Sequence, residues 1–248
     1  MILQKRSAAA AGADRLASVA AYLQAQKADG PILQLALQET SGTTLADSGG
    51  SGRDFTVTGS PTLGASFSTS FGIEKAVSFS QTTTQYLSRG YEAWMNDTAF
   101  RTACTVETLC SFSSFTNAPT IISMDDAGVG AAGRKWVLRT NDGKLEAYVF
   151  NTAGTLYVAT APTSLTLNVI YHLAFTFGGG ALRIYVNGSQ VANVATSGVM
   201  PSNSIFPVVG RVAAAYFPMA GKVAGVALFD KELSASALTA HASAAGLV

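Results

Sequence analysis

The sequence predicts an all-β fold, a sandwich of two antiparallel sheets with a helix ahead of it and a short helix at its end. Three observations predict it. Short segments of alternating apolar and polar residues recur roughly every ten positions with turn signals between them, as a sandwich requires. The most regular stretch, Asn168 to Val191, holds two such segments joined by Gly178, Gly179 and Gly180 and followed by an Asn187-Gly188 turn. Residues 1–28, in contrast, are alanine-rich, poor in β-branched residues and patterned at helical spacing.

Taken in order, Leu16, Val19, Ala20 and Leu23 form the apolar row of the first helix, with Lys27 continuing it. Asp29-Gly30-Pro31 ends it. This break sets the expected division: residues 1–30 as a helical attachment or oligomerisation segment, residues 31–248 as the β domain. A lone amphipathic helix is marginal in water. Its stripe must therefore meet either the sandwich or another chain. The Asp29-Gly30-Pro31 break, which turns the helix away from the domain, favours another chain. Removing residues 1–28 is then expected to leave the β domain folded but without oligomerisation or attachment. Lys5-Arg6 precede the alanine run, but Gly12, Asp14 and Arg15 interrupt it before a secretion signal's apolar core could form.

The β pattern opens with Ile32 to Leu37 and returns at Phe55 to Thr58 after a Ser/Gly-rich loop. Lys75 to Phe79, Tyr86 to Leu87, Thr102 to Phe112 and Thr120 to Met124 follow. Lys135 to Thr140 and Lys144 to Phe150 flank Asn141-Asp142-Gly143 and read as a hairpin; Leu156 to Thr160 comes next. In the central stretch Tyr171, Leu173, Phe175 and Phe177 share one face, and Leu182, Ile184 and Val186 the matching one. Ser234 stands as N-cap of a final helix from Ala235 to Ala245.

The string YHLAFTFGGGALRIYVNG resembles the W-x-H-x-A-x-T…LYVNG segment of the laminin-G-like family, within the concanavalin A-like lectin/glucanase superfamily. Ile170 stands at the family's tryptophan and a glycine at the usual turn aspartate. The opening ILQLALQETSGTTLADSGGSGRDFTVTG and the closing FPMAGKVAGVALFDKELSASALTAH are similar to that family's first and last segments, in the correct order. The resemblance implies a jelly-roll sandwich from about Ile32 onward. It implies no activity, because the fold hosts lectins, glycanases and inert adhesive modules.

Composition narrows the function. Only 12% of the 248 residues are charged, and the net charge is +1. Neither nucleic-acid binding nor steering of acidic substrates is expected. No apolar run approaches the roughly 20 residues of a membrane span. Cys104 and Cys110, the only cysteines, lie in one extended run whose length holds them about 20 Å apart, so they read as buried free thiols suited to a reducing cytoplasm.

Catalysis is not expected. The superfamily's glycanases use an alternating E-x-D-x-E strand, which is absent, and Asp125-Asp126 would point to opposite faces of a strand. His172 and His241 have no nucleophile motif beside them; His172 matches the family's strand histidine, a structural residue. Asp47 matches the family's loop aspartate and is the candidate calcium ligand, but Ala224-Gly225 replace the acidic residue that would help it. No other cofactor is implied. Trp136, Tyr148, Phe150 and Tyr157, on successive strands, are the candidate glycan platform. A helix immediately ahead of such a domain also resembles accessory virion proteins of tailed bacteriophages. The first expectation is thus a non-enzymatic structural or adhesion protein of a virus particle, folded in the host cytoplasm. It would oligomerise, or dock other virion proteins, through residues 1–28. The alternative is a lectin-like module for cell-surface glycans, with a glycanase a distant third.

Overall fold

The computed structural model describes residues 21–67 and 74–248. Residues 21–28 are helical and are labelled α1. The strands follow as β1 (Leu33–Leu35), β2 (Thr44–Leu45), β3 (Phe55–Thr58), β4 (Thr62–Ser66), β5 (Lys75–Ser80) and β6 (Tyr86–Ser88). After the short helix α2 (Thr98–Thr102) come β7 (Cys104–Phe112), β8 (Thr120–Asp125), β9 (Arg134–Asn141), β10 (Lys144–Phe150) and β11 (Leu156–Ser164). The chain closes with β12 (Tyr171–Gly178), β13 (Ala181–Val186), β14 (Ser189–Ala195), β15 (Val208–Val209), β16 (Ala220–Phe229) and α3 (Ala235–Ala244).

Two antiparallel sheets face each other. Sheet A runs β14-β13-β12-β7-β16-β5-β4, with β1 also paired to β16; sheet B runs β11-β10-β9-β8-β15-β6-β3-β2. The all-β expectation, with helices near both ends, holds. Period-two alternation decides which side chains fill the space between the sheets. Phe175 lies directly opposite Ile184 and Val106, and all three are buried in the central core. Trp136 comes from sheet B to meet Phe175, ring centroids 5.5 Å apart. Cys104 and Cys110 are buried free thiols on this inner face of β7. Thr102 is not part of that strand: it ends α2, which drives Phe100 into the core.

The outer face of sheet A is not left to solvent. Ala174, Tyr185, Ala227 and Phe229 form one apolar cluster with Leu238 of α3. Leu109, Ala224, Ala76 and Phe67 form another with Tyr22 of α1 and Ala245. The Asp29-Gly30 break ends α1, yet the helix does not leave the domain over residues 21–28. Tyr22 and Gln26 are buried against the chain's own sheet, and the Gln34 amide donates to the Leu23 carbonyl and to Gln26 Oε1. Leu16, Val19 and Ala20, the rest of the predicted stripe, lie outside the described residues; Lys27 is exposed.

Gly225 explains why the family's acidic pair is missing here. β16 bulges between Ala224 and Val226, and Gly225 sits in the left-handed region at φ 61°. A Cβ there would stand 2.8 Å from Tyr22 Cε1. Ala224 beside it is fully buried under α1, where an unpaired carboxylate would be costly.

Replacing Phe175 by Ala is expected to cost about 3–5 kcal/mol; an unchanged denaturant midpoint would show that the face assignment is wrong. Deleting residues 1–28 uncovers the site of Tyr22 and strips Gln34 Nε2 of both its acceptors. The truncated chain is expected to lose at least about 3 kcal/mol of stability. An unaltered melting curve would mean that α1 contributes nothing to the sandwich.

Candidate functional site

The four aromatic residues expected to form a glycan platform do not lie together. In the β9–β10 pair Trp136 stands opposite Val149 and Val137 opposite Tyr148. Residues directly opposite share a face, so Trp136 points into the core while Tyr148 points outward. Tyr157 is paired with Val149 and therefore takes the inner side of the edge strand β11. Its hydroxyl lies 2.8 Å from Ser197 Oγ.

Tyr148 and Phe150 do share the outer face of sheet B, but they are buried there in a cluster with Val137 and Val212. Their ring faces are occupied. The Arg134 guanidinium lies 4.6 Å from the Phe150 centroid, and that of Arg139 lies 5.1 Å from Tyr148 and 5.4 Å from Phe217. The Tyr148 hydroxyl donates to Asp125 Oδ2 at 2.6 Å, and Arg134 Nε and Nη2 donate to the same carboxylate. Burial first, then the Asp125 charge, pushes the Tyr148 phenol up. A sugar ring has no free aromatic face to stack on here.

Two further charges are sealed into this face. Glu146 accepts from Arg139, Asn141 and Thr160. The Lys135 amine donates to Asn96 Oδ1 and Asn203 Oδ1 at 2.9 and 2.8 Å. Burial, with Arg101 second, pushes it down to about 7.

Asp47, the calcium candidate, has both carboxylate oxygens engaged by backbone amides. Its Oδ1 accepts from the amides of Gln34 and Gly49, and its Oδ2 from those of Ser51 and Arg53, at 2.9 to 3.2 Å. Three loop N–H groups and one from β1 aimed at a carboxylate present donors where a cation needs oxygens. Asp47 is the anchor of its own loop, holding it to the start of β1.

An open, polar concavity lies elsewhere, on the outer face of sheet A. Lys222 of β16 is flanked directly by Ser111 of β7 and Ser78 of β5, a Ser–Lys–Ser row across three neighbouring strands. Around this row is a pocket of about 210 Å³, with Ser66, Ser113 and Asn168 at its polar margin and Phe67 and Ile170 as apolar wall. Gly221 lets β16 lie close beneath it: a Cβ there would fall 2.0 Å from the Ser111 carbonyl oxygen. The ammonium donates to the Ser66 carbonyl at 2.7 Å, and no ion pair to it exists among the described residues. One signal pointed here: Lys222 is the only polar side chain in the run AGKVAGVALF. Its serine neighbours come from strands far away in sequence.

Residues 81–239 match the family model for laminin G domains of the concanavalin A-like lectin/glucanases superfamily. The chain belongs to this superfamily. Comparison with curated proteins finds no match. Among solved structures it is similar to the receptor-binding domain of botulinum neurotoxin C/D mosaic serotype, at TM-score 0.67 and 15% identity over 87% of this chain and 51% of that one. The binding domain of Paraclostridial Mosquitocidal Protein 1 gives TM-score 0.65 and 12% identity over 86% and 52%. The binding domain of botulinum neurotoxin DC, solved in complex with SialylT, gives 0.65 and 15% over 88% and 52%. The lectin-like chain thus spans about half the length of these neighbours, and at such identities the likeness is one of fold.

Replacing Asp47 by Ala leaves three loop amides and that of Gln34 without their acceptor and is expected to destabilise by about 2–3 kcal/mol. Chelator should leave the melting temperature of both proteins unchanged; a drop confined to the wild type would restore calcium to this loop.

Proposed function

We propose that the protein is a non-catalytic, lectin-like glycan-binding domain, and that the Ser–Lys–Ser pocket on sheet A is its binding site. The observation that carries this reading is the pocket's chemistry. Two strands present hydroxyls on either side of the ammonium of a third, which has no counter-charge among the described residues, beside an apolar wall. Hydroxyl and amide groups suit a sugar's own hydroxyls, Phe67 and Ile170 suit its C–H face, and Lys222 favours a unit bearing a carboxylate or sulfate.

A binding rather than hydrolytic role is supported by the state of the acids. The oxygens of Asp125 and Glu146, the carboxylates on the outer face of sheet B, are taken up by arginine, tyrosine, asparagine and threonine donors. A glycosidase needs two carboxylates free to face the scissile bond. The virion role that the chain order suggests is the second reading. Its attachment element would lie within residues 1–20, since residues 21–28 are engaged with their own sheet.

The test is a glycan array of neutral and acidic sugars, followed by titration of the strongest binder into wild type and Lys222→Met. Loss of one charge-assisted hydrogen bond predicts affinity lowered about 10- to 100-fold, with circular dichroism unchanged. No binding by the wild type, or equal affinity of the variant, overturns the proposal.

A further inference from the structure

The outer face of sheet A also holds a set of ionisable groups separate from the pocket. Glu107, on β7 and fully buried, lies 2.9 Å from His172 Nε2 and 3.0 Å from His241 Nδ1. The two imidazoles reach it from different elements, β12 and α3. The other nitrogen of His241, Nε2, lies 3.1 Å from Asp29 Oδ2, at the end of α1. The Phe229 ring of β16 stacks on His241, and Tyr22 meets His172 edge-on. Glu107, His172, Asp29 and Tyr22 are the titratable groups that β7, β12 and the α1 segment bring to this place.

The partners assign the protons. A carboxylate only accepts, and both nitrogens of His241 face one. Hydrogen on both nitrogens, an imidazolium between Glu107 and Asp29, is the state that satisfies both approaches. His172 differs: its Nε2 faces Glu107 and its Nδ1 is buried with no partner.

We propose that protonated His241 is a clasp that fastens α1 to the sandwich, closed at mildly acidic pH and released when the ring loses its proton. Deprotonation leaves one ring nitrogen with a lone pair aimed at a carboxylate. Glu107 is sealed from water, so the remaining hydrogen stays on Nδ1, and the contact that fails is the one to Asp29, whose side chain is 37% exposed. What is lost is the link between α3 and α1, while the Glu107 centre stays closed.

The direction of the pH response follows. Burial alone pulls the His241 pKa down, but the hydrogen bond and charge of Glu107, then Asp29 and the Ala25 carbonyl, hold it above the usual imidazole value. A group raised in the folded state contributes fully below its unfolded value, and the contribution disappears as pH rises through the folded pKa. Glu107 bounds the other side. Burial would raise it, yet the hydrogen bonds from His172 and His241 bring it to about 2, so its contribution is lost only as pH falls toward that value. The clasp is strongest between the ordinary carboxylate and imidazole ranges.

The experiment is amide hydrogen exchange on the full chain from pH 5.5 to 8.5, corrected for intrinsic rates. Protection over residues 21–28 is read against that of β12 at each pH. One proton linked to release predicts that α1 protection falls by up to tenfold per pH unit above the His241 pKa, with β12 unaffected. His241→Gln should remove that slope. Asp29→Asn, at a partly exposed position that leaves the buried centre intact, should flatten it too, because the carboxylate that holds the protonated ring to α1 is gone. Ring-proton NMR of the wild type reads the same event without a variant: His241 should titrate above 6.5. A pH-independent α1, or a His241 ring titrating below 6.5, overturns the proposal.

Discussion

A carboxylate cut off from water has to be met by proton donors, and Glu107 makes that demand at the centre of sheet A. Its donors cannot come from its own strand, whose neighbouring residues point to the opposite face. One comes from β12 and the other from a helix 134 residues further along the chain. Meeting the demand fixes where α3 lies, and α3 with Tyr22 then closes the two apolar clusters that flank the site. The covering of sheet A thus follows from one buried charge together with the apolar residues around it. Replacing either histidine while leaving Glu107 in place would strand a charge in the interior, the costlier way to break such a group.

The two outer faces of the sandwich meet the problem of polar side chains differently. On sheet B, Asp125 pairs with Arg134 and Glu146 with Arg139, and the two guanidinium groups lie over the aromatic rings, so the face is closed by its own side chains. On sheet A the helices cover the β12 side and reach as far as Ala76 of β5, but no residue of α1 or α3 lines the pocket where Lys222 is left between serines. An open polar pocket thus lies at this boundary, where the covering layer of the described residues ends.

Much of the fold was legible because a strand announces itself locally. The alternation in Tyr171–Phe177 and Leu182–Val186 gave the correct inner face, since period two is a property of each strand alone. The aromatic platform was not legible, because whether Trp136 and Tyr148 share a face depends on the register between strands, and one residue of offset reverses it. Asp47 looked like a metal ligand by position; only the backbone path of residues 48–53 shows that amides fill its coordination. The Glu107 centre and the Ser–Lys–Ser row are assembled across 134 and 144 residues of sequence, a distance over which pattern carries no information. Gly225 was visible as a departure from the family, but its cause is the ring of Tyr22, two hundred residues earlier.

The interior placement of the two cysteines has a practical consequence. Both thiols are wholly buried in the inter-sheet core, and burial raises them far above the range in which a thiolate forms near neutrality. Alkylating and maleimide reagents attack the thiolate and need access to it, so the native protein offers them no target. A single cysteine introduced at an exposed position such as Thr163 would be the sole reactive sulfur on the folded molecule. Dyes, spin labels or cross-linkers could then be attached at chosen points of either sheet without first removing the native thiols from the core.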